Sequence, residues 1–173
     1  MTTDGPHWWP AYVGIGSNLN HPAAHVTRAF DDLGALPKTV LVARSSLYRS
    51  APLGPQDQPD FINAAAALLT QLAIGEFLAQ LHEIERQHGR DRSGDKWGPR
   101  TLDLDLLVYG TEVITGDELT LPHAGIAERN FVLLPLREIA PGLYVPGLGT
   151  VSRLLSVLPE PGAGIEKLSS ASG

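Results

Sequence analysis

Two stretches of helical period, each set between extended apolar runs, leave this chain few architectures to choose from. Pro22 to Leu36 places Val26, Phe30 and Leu33 at helical spacing, and Gly34 and Pro37 supply its stop. Ile74 to His88 repeats the pattern with Ile74, Phe77, Leu78, Leu81 and Ile84 on one stripe, and Gly89 ends it. Around them, Tyr12–Gly16, Thr39–Arg49, Asp60–Thr70 and Thr101–Tyr109 read as strands. The order β-α-β-β-α-β predicts an α+β, ferredoxin-like sandwich, with two helices on one face of an antiparallel sheet. Residues 110–158 are expected to add C-terminal strands and helices that cover the other face or extend the sheet. A single catalytic domain over 11–158 is expected, with an N-terminal extension at 1–10 and a flexible tail, rich in Gly, Ser, Pro and Ala, over 159–173.

Composition excludes several function classes. With 43% hydrophobic and 18% charged residues, the 173-residue chain has the balance of an ordinary soluble domain. A net charge of −6 argues against a nucleic-acid-binding surface. The absence of cysteine removes disulfides, thiolate metal sites and cysteine nucleophiles. The longest apolar run, Ala64 to Leu69, is too short to cross a membrane, and Met1–Pro10 lacks the features of a signal peptide. A cytoplasmic monomer with no membrane partner is the expectation.

The segment Trp97-Gly98-Pro99-Arg100-Thr101-Leu102-Asp103-Leu104-Asp105 carries the most chemistry. It opens as a turn and becomes a strand that places Asp103 and Asp105 on one face, with Cα atoms about 6.6 Å apart. Alternation of polar residues with leucines is common in half-exposed strands. This strand, however, continues as Leu106-Leu107-Val108 and reads as buried, so two carboxylates there call for a cation. Oxygen-only donors favour Mg²⁺ over zinc. Before it, Arg90, Arg92, Lys96 and Arg100 gather four of the chain's thirteen Lys and Arg residues into eleven positions. Glycines make that loop pliable and Trp97 gives it an apolar anchor, as a loop closing over a polyphosphate requires. A solvated basic loop is the plainer reading of such a run.

Other residues are less specific. Glu85 falls inside the apolar stripe of the second helix, with His82 at its margin, so Glu85 needs a partner: an arginine of the next loop, or a ligand. Phe61 and Asn63 share one strand face, where the plain reading is packing and a backbone-bonded amide. An amide can also read a heterocycle edge. Gly14-Ile15-Gly16-Ser17-Asn18 leaves room above a strand but lacks a dinucleotide fingerprint.

Taken together, these segments resemble the 6-hydroxymethyl-7,8-dihydropterin pyrophosphokinases of folate biosynthesis, from about Tyr12 to about Val157. The resemblance rests on Gly16–Leu19, Tyr48–Ala64, Gly89–Arg92, Trp97–Asp105, Pro122-His123 and Arg129-Asn130-Phe131. It implies transfer of the β,γ-diphosphate of ATP to the pterin hydroxymethyl oxygen, releasing AMP. By resemblance, Asp103 and Asp105 would hold two Mg²⁺ ions, and Arg90 and Arg92 would join them in catalysis. His82, Glu85, Arg90, Arg92, Lys96, Arg100, Thr120, His123 and Arg129 would contact ATP. Ser50, Ala51, Leu53, Phe61, Asn63, Trp97 and Phe131 would bind the pterin, with Phe61 and Phe131 sandwiching its ring. The chain departs from the family pattern at His82, Ala51, Ala124 and Phe61, where glutamine, proline, tyrosine and tyrosine respectively are frequent. Another Mg²⁺-dependent nucleotidyl or phosphoryl transferase, a degenerate pterin binder and a non-catalytic ferredoxin-like module are the alternatives.

Overall fold

The computed structural model describes residues 6–52, 54, 56–89 and 101–168. Its central sheet is built on β1 (Trp9–Ser17), which lies between β4 (Phe61–Thr70) and β5 (Asp103–Tyr109). β2 (Thr39–Arg44) and β3 (Tyr48–Ser50) both pair with β4, and all of these pairings are antiparallel. Reading β2 and β3 as one interrupted strand gives the expected ferredoxin-like order.

Helices α1 (Pro22–Gly34) and α2 (Ile74–Gln87) cover one face. Val26, Phe30 and Leu33 of α1 and Phe77, Leu81 and Ile84 of α2 pack there against Val13, Ile15, Ile62, Ala64, Leu104 and Leu106. The alanine run Ala64–Ala67 keeps the middle of the sheet thin. Bulk comes from the helices, where burying one side chain such as Phe77 contributes about 2–3 kcal/mol. The opposite face meets α3 (Asn130–Ile139) and the short α4 (Val151–Ser156), which with Leu107, Val108 and Ala65 form a second core. The register of β5 on β1 shifts between Tyr12 and Val13. The bulge it leaves at Leu107 lets both Leu107 and Val108 reach that second core. Two hairpin-like pairs, β6 (Ile114–Thr115) with β7 (Thr120–Leu121) and β8 (Tyr144–Val145) with β9 (Gly149–Thr150), connect the C-terminal pieces.

Three sequence boundaries change. The strand expected over Thr39–Arg49 is broken at Ser45–Leu47. Ser45 keeps the ladder's hydrogen bonds on both sides of the break: its N–H donates to Ala65 O at 2.9 Å, and its Oγ accepts from Ala65 N at 2.9 Å. The fourth strand starts at Asp103 rather than Thr101, because the Thr101 carbonyl turns to accept from Ser17 Oγ at 2.5 Å. The segment expected to be a flexible tail from 159 onward contains β10 (Ile165–Lys167), which pairs with β3. Leu168 N–H donates to Leu47 O at 2.8 Å, Asn130 Nδ2 donates to Ala163 O at 2.8 Å, and Glu166 meets Arg49 at 3.4 Å. These local bonds capture a segment whose composition alone suggested disorder.

A histidine pair joins the two helices. His88 caps α2 with a side chain only 1% exposed. Its Nε2 donates to Asp32 Oδ2 at 2.7 Å, and its Nδ1 lies 2.7 Å from Nδ1 of His25. A single proton can serve that contact, and a second would break it. Burial, then the neighbouring His88 and Arg28, hold the His25 pKa below its ordinary value. The unfolded chain therefore binds the extra proton more readily, and this contribution to stability is complete above about pH 6.5. It is lost as pH falls from there through the depressed folded value. Thermal melts between pH 7.5 and pH 5.5 should show wild-type stability falling, with a shallower dependence in His25→Gln. Parallel slopes would refute the assignment.

Candidate active site

The face opposite α1 and α2 brings the sequence-predicted residues together through register alone. Gly16 pairs with Asn63 on one side and with Asp103 on the other, and Gly14 pairs with Ala65 and Asp105. Directly paired residues share a face, and so do residues two apart on a strand. Phe61, Asn63, Gly14, Gly16, Asp103 and Asp105 therefore look to the same side. The glycines between them keep the centre of that side low. A Cβ on Gly16 would sit 3.5 Å from Asn63 Oδ1 and 3.9 Å from Phe61 Cδ1, ordinary contacts that would fill the gap between amide and carboxylates.

Asn63 is buried and oriented. Its Nδ2 donates to Ser50 Oγ at 2.7 Å, which leaves its carbonyl oxygen turned toward Gly16. Phe61 is half-buried beside it, and Ser50 is its paired neighbour on β3. Ala51 is exposed at the start of the β3–β4 loop. Asn18, 1% exposed, ties that loop to the end of β1: its Nδ2 donates to Gln58 Oε1 and to Pro59 O, both at 2.9 Å. Sequence reasoning passed over Asn18 as part of a weak glycine motif. Its signal was its place just past a strand end that carries two glycines.

Asp103 and Asp105 are half-exposed, while Leu104 between them is buried on the α2 side. Glu85 finds a partner there. Its carboxylate, 1% exposed, accepts from Leu104 N at 2.8 Å, so it holds the backbone exactly between the two aspartates. The expected arginine partner would come from residues 90–100, which lie outside the described residues. His82 is exposed on α2, one turn before Glu85.

His123 follows the cis Leu121–Pro122 bond and is fixed at both ends. Its N–H donates to Leu107 O at 2.9 Å, and its Nδ1 accepts from Gly125 N at 3.2 Å. The neutral ring then carries its proton on Nε2, which faces Asp105 Oδ1 at 3.9 Å. Burial and then Arg129 lower the His123 pKa, and Asp103 opposes them. Arg129 precedes α3, and its guanidinium lies 6.0 Å from the Phe131 ring centroid. A Cβ at Gly125 would overlap the guanidinium, so Arg129 would have to move from this position. Thr120 lies on β7, which packs on β5, and its hydroxyl donates to Gly116 O at 3.3 Å. Among the site residues read from sequence, Leu53, Arg90, Arg92, Lys96, Trp97 and Arg100 lie outside the described residues.

The arrangement offers a low, glycine-floored patch edged by an amide and an aromatic ring, beside two carboxylates with a histidine and an arginine close by. No three His, Cys, Asp or Glu side chains among the described residues form a metal-holding group. The two carboxylates on one face of β5 are a donor set that suits Mg²⁺, which is usually held by one or two carboxylates and completed by phosphate oxygens and water. The Glu85 contact predicts that Glu85→Ala destabilises the fold by about 2–3 kcal/mol, because a charge-assisted bond to a buried amide is lost. Chemical denaturation would measure this, and a loss below about 0.5 kcal/mol would contradict it.

Comparisons with known proteins give the family and the fold. A family model described as 7,8-dihydro-6-hydroxymethylpterin-pyrophosphokinase (HPPK) matches residues 12–141. The 2-amino-4-hydroxy-6-hydroxymethyldihydropteridine pyrophosphokinase of Haemophilus influenzae is 46% identical over 145 residues, covering 84% of this chain and 90% of the relative. The enzyme of the same name from Pseudomonas aeruginosa is 46% identical over 160 residues, covering 92% and 97%. Among solved structures, Plasmodium falciparum HPPK-DHPS A437G with STZ-DHP aligns with TM-score 0.67 at 13% identity, a likeness of fold. It covers 88% of this chain and 46% of that one, so the chain spans about half the length of the solved protein. On the family match and the identity along most of its length, the chain belongs to the 7,8-dihydro-6-hydroxymethylpterin-pyrophosphokinase family.

Proposed function

We propose that the face carrying Phe61, Asn63, Gly16, Asp103 and Asp105 is where this chain performs the reaction of its family, with Mg²⁺ held by the two aspartates. The activity is pyrophosphoryl transfer from ATP to 6-hydroxymethyl-7,8-dihydropterin, in folate biosynthesis. The hydroxymethyl oxygen bonds to the β-phosphorus and gives up its proton to solvent, the bond from that phosphorus to the α–β bridging oxygen breaks, and AMP leaves. The observation that carries the site assignment is the register of β1, which sets Asn63 and Asp103 on either side of Gly16.

The roles follow from the chemistry of each group. Asn63, held by Ser50, presents its carbonyl oxygen to the N–H edge of the pterin. Phe61 and Phe131 supply the flat apolar walls that a heterocycle needs, and the family resemblance adds Ser50, Ala51, Leu53 and Trp97 to the pterin contacts. Bound Mg²⁺, two ions in this reading, neutralises phosphate charge and orients the triphosphate. Asp103 and Asp105 hold it, and Glu85 keeps the strand between them in place. His123 and Arg129 stand on the phosphate side, where an Nε2–H and a guanidinium donate to anionic oxygens. The family resemblance assigns Arg90, Arg92, Lys96 and Arg100 to the phosphates, and His82 and Thr120 to the nucleotide. A monomer is the proposed state, since the described residues of the site come from one copy of the chain. No described helix is long and apolar enough to cross a membrane.

The assay is AMP release from ATP that depends on the pterin substrate. Asp103→Asn and Asp105→Asn should each lower kcat by about a thousandfold, the scale of losing preorganised charge stabilisation. Both variants should keep their wild-type melting temperature within a few degrees, and chelation should abolish the wild-type rate until Mg²⁺ is restored. Near-normal turnover in either variant would overturn the metal assignment. Gly16→Val should fold and lose affinity for the pterin, because its side chain rises into the gap beside Asn63 Oδ1. An unchanged pterin KM would show that the ring lies elsewhere.

A further inference from the structure

Glu138 has no part in the site described above, yet several donors converge on it. Its Oε1 accepts from the Tyr48 hydroxyl at 2.7 Å, and its Oε2 accepts from Ser46 Oγ at 2.9 Å. Ser46 N–H lies 3.0 Å from both oxygens, and Lys167 Nζ of β10 is 3.9 Å from Oε1. Burial works against the charge, but the donors of Tyr48 and Ser46 outweigh it and hold the carboxyl below its ordinary range. Burial and the same contact push the Tyr48 phenol up, so it stays a donor at every physiological pH. This is more than one surface carboxylate needs for solubility, and it joins α3 to the junction of β2 and β3.

The location of the clamp relates it to the ligand face. Tyr48 pairs with Asn63, so it stands on the same side of the sheet, one pleat from Phe61. On α3, Phe131 and Glu138 are seven residues apart, which places them within about 20° of each other around the axis and about 10.5 Å apart along it. The flank of α3 that Glu138 fastens to Tyr48 is therefore the flank that carries Phe131. The buried residues Leu133, Pro135 and Leu136 set which side of the helix meets the sheet, and the hydrogen-bonded carboxylate at the far end narrows the rotation that those non-directional contacts leave.

We propose that Glu138 is a positioning residue for the pterin, fixing the rotation of α3 over β3 and β4 so that Phe131 stands opposite Phe61 at the spacing of one flat ring. The inference rests on the reading that Phe61 and Phe131 sandwich the pterin. Tyr48 and Ser46 act with Glu138 and touch no substrate.

Steady-state kinetics of four variants test it, with both substrates varied and melting temperatures recorded. Phe131→Ala should raise the pterin KM about tenfold or more. Glu138→Ala should raise it about tenfold, with kcat and the ATP KM within about twofold, the signature of lost binding rather than lost chemistry. Glu138→Gln retains an acceptor for Tyr48 and Ser46 and should recover to within about threefold of wild type. Tyr48→Phe removes one donor without altering the carboxylate. It should raise the pterin KM about threefold, and it serves if Glu138→Ala does not fold. If Phe131→Ala raises the pterin KM and Glu138→Ala leaves it unchanged, the clamp is merely structural and the inference fails. A parallel loss in kcat and both KM values in Glu138→Ala would also overturn it. If Phe131→Ala itself has no effect, the sandwich reading fails first.

Discussion

The double register of β1 is the constraint on which the rest of the site depends. One strand pairs with β4 on one edge and β5 on the other, and a single residue, Gly16, faces Asn63 and Asp103 at once. Because side chains alternate with period two, a slip of one residue on either edge would send the amide or the carboxylates into the α1–α2 core. The core resists that slip. Val13 and Ile15 are buried under the helices, and the alternate positions between and beyond them are glycines, so the two faces of β1 are not interchangeable. The apolar packing that stabilises the fold thus also sets Asn63 and the two aspartates on one face.

Around that strand the supports are polar and specific. Glu85 crosses from α2 to the amide between the two aspartates, at the cost of burying a carboxylate among leucines. Asn18 fastens the end of β1 to the loop that precedes β4. Glu138 fastens the third helix to the strand beside Asn63. Each of these side chains bonds backbone or side-chain groups from another element. Their geometry is therefore set by the tertiary fold and would not survive its loosening.

Much of this was legible in the sequence, for identifiable reasons. Helical period marked Glu85 as a charge inside an apolar stripe, and strand period set Asp103 and Asp105 on one face and Phe61 and Asn63 on another. Period alone could not tell that those two faces are the same, since that depends on which strands are neighbours. The break at Ser45 was hidden because a serine that accepts an amide bond with its hydroxyl reads as any other strand residue. The partners of Glu138 were hidden because Ser46 and Tyr48 are about ninety positions away along the chain. The His25–His88 contact spans sixty-three positions and was equally hidden.

Composition misread the C-terminal segment most clearly. β10 pairs with β3, a three-residue strand whose other side pairs with Phe61, Ile62 and Asn63. A chain trimmed at residue 158 would keep both helical layers but expose the backbone of β3 to solvent, beside Phe61 and Asn63. An uncovered strand edge recruits other strands. The last segment thus takes over the sheet edge from β3, and a tag or fusion partner belongs after Leu168 rather than in its place.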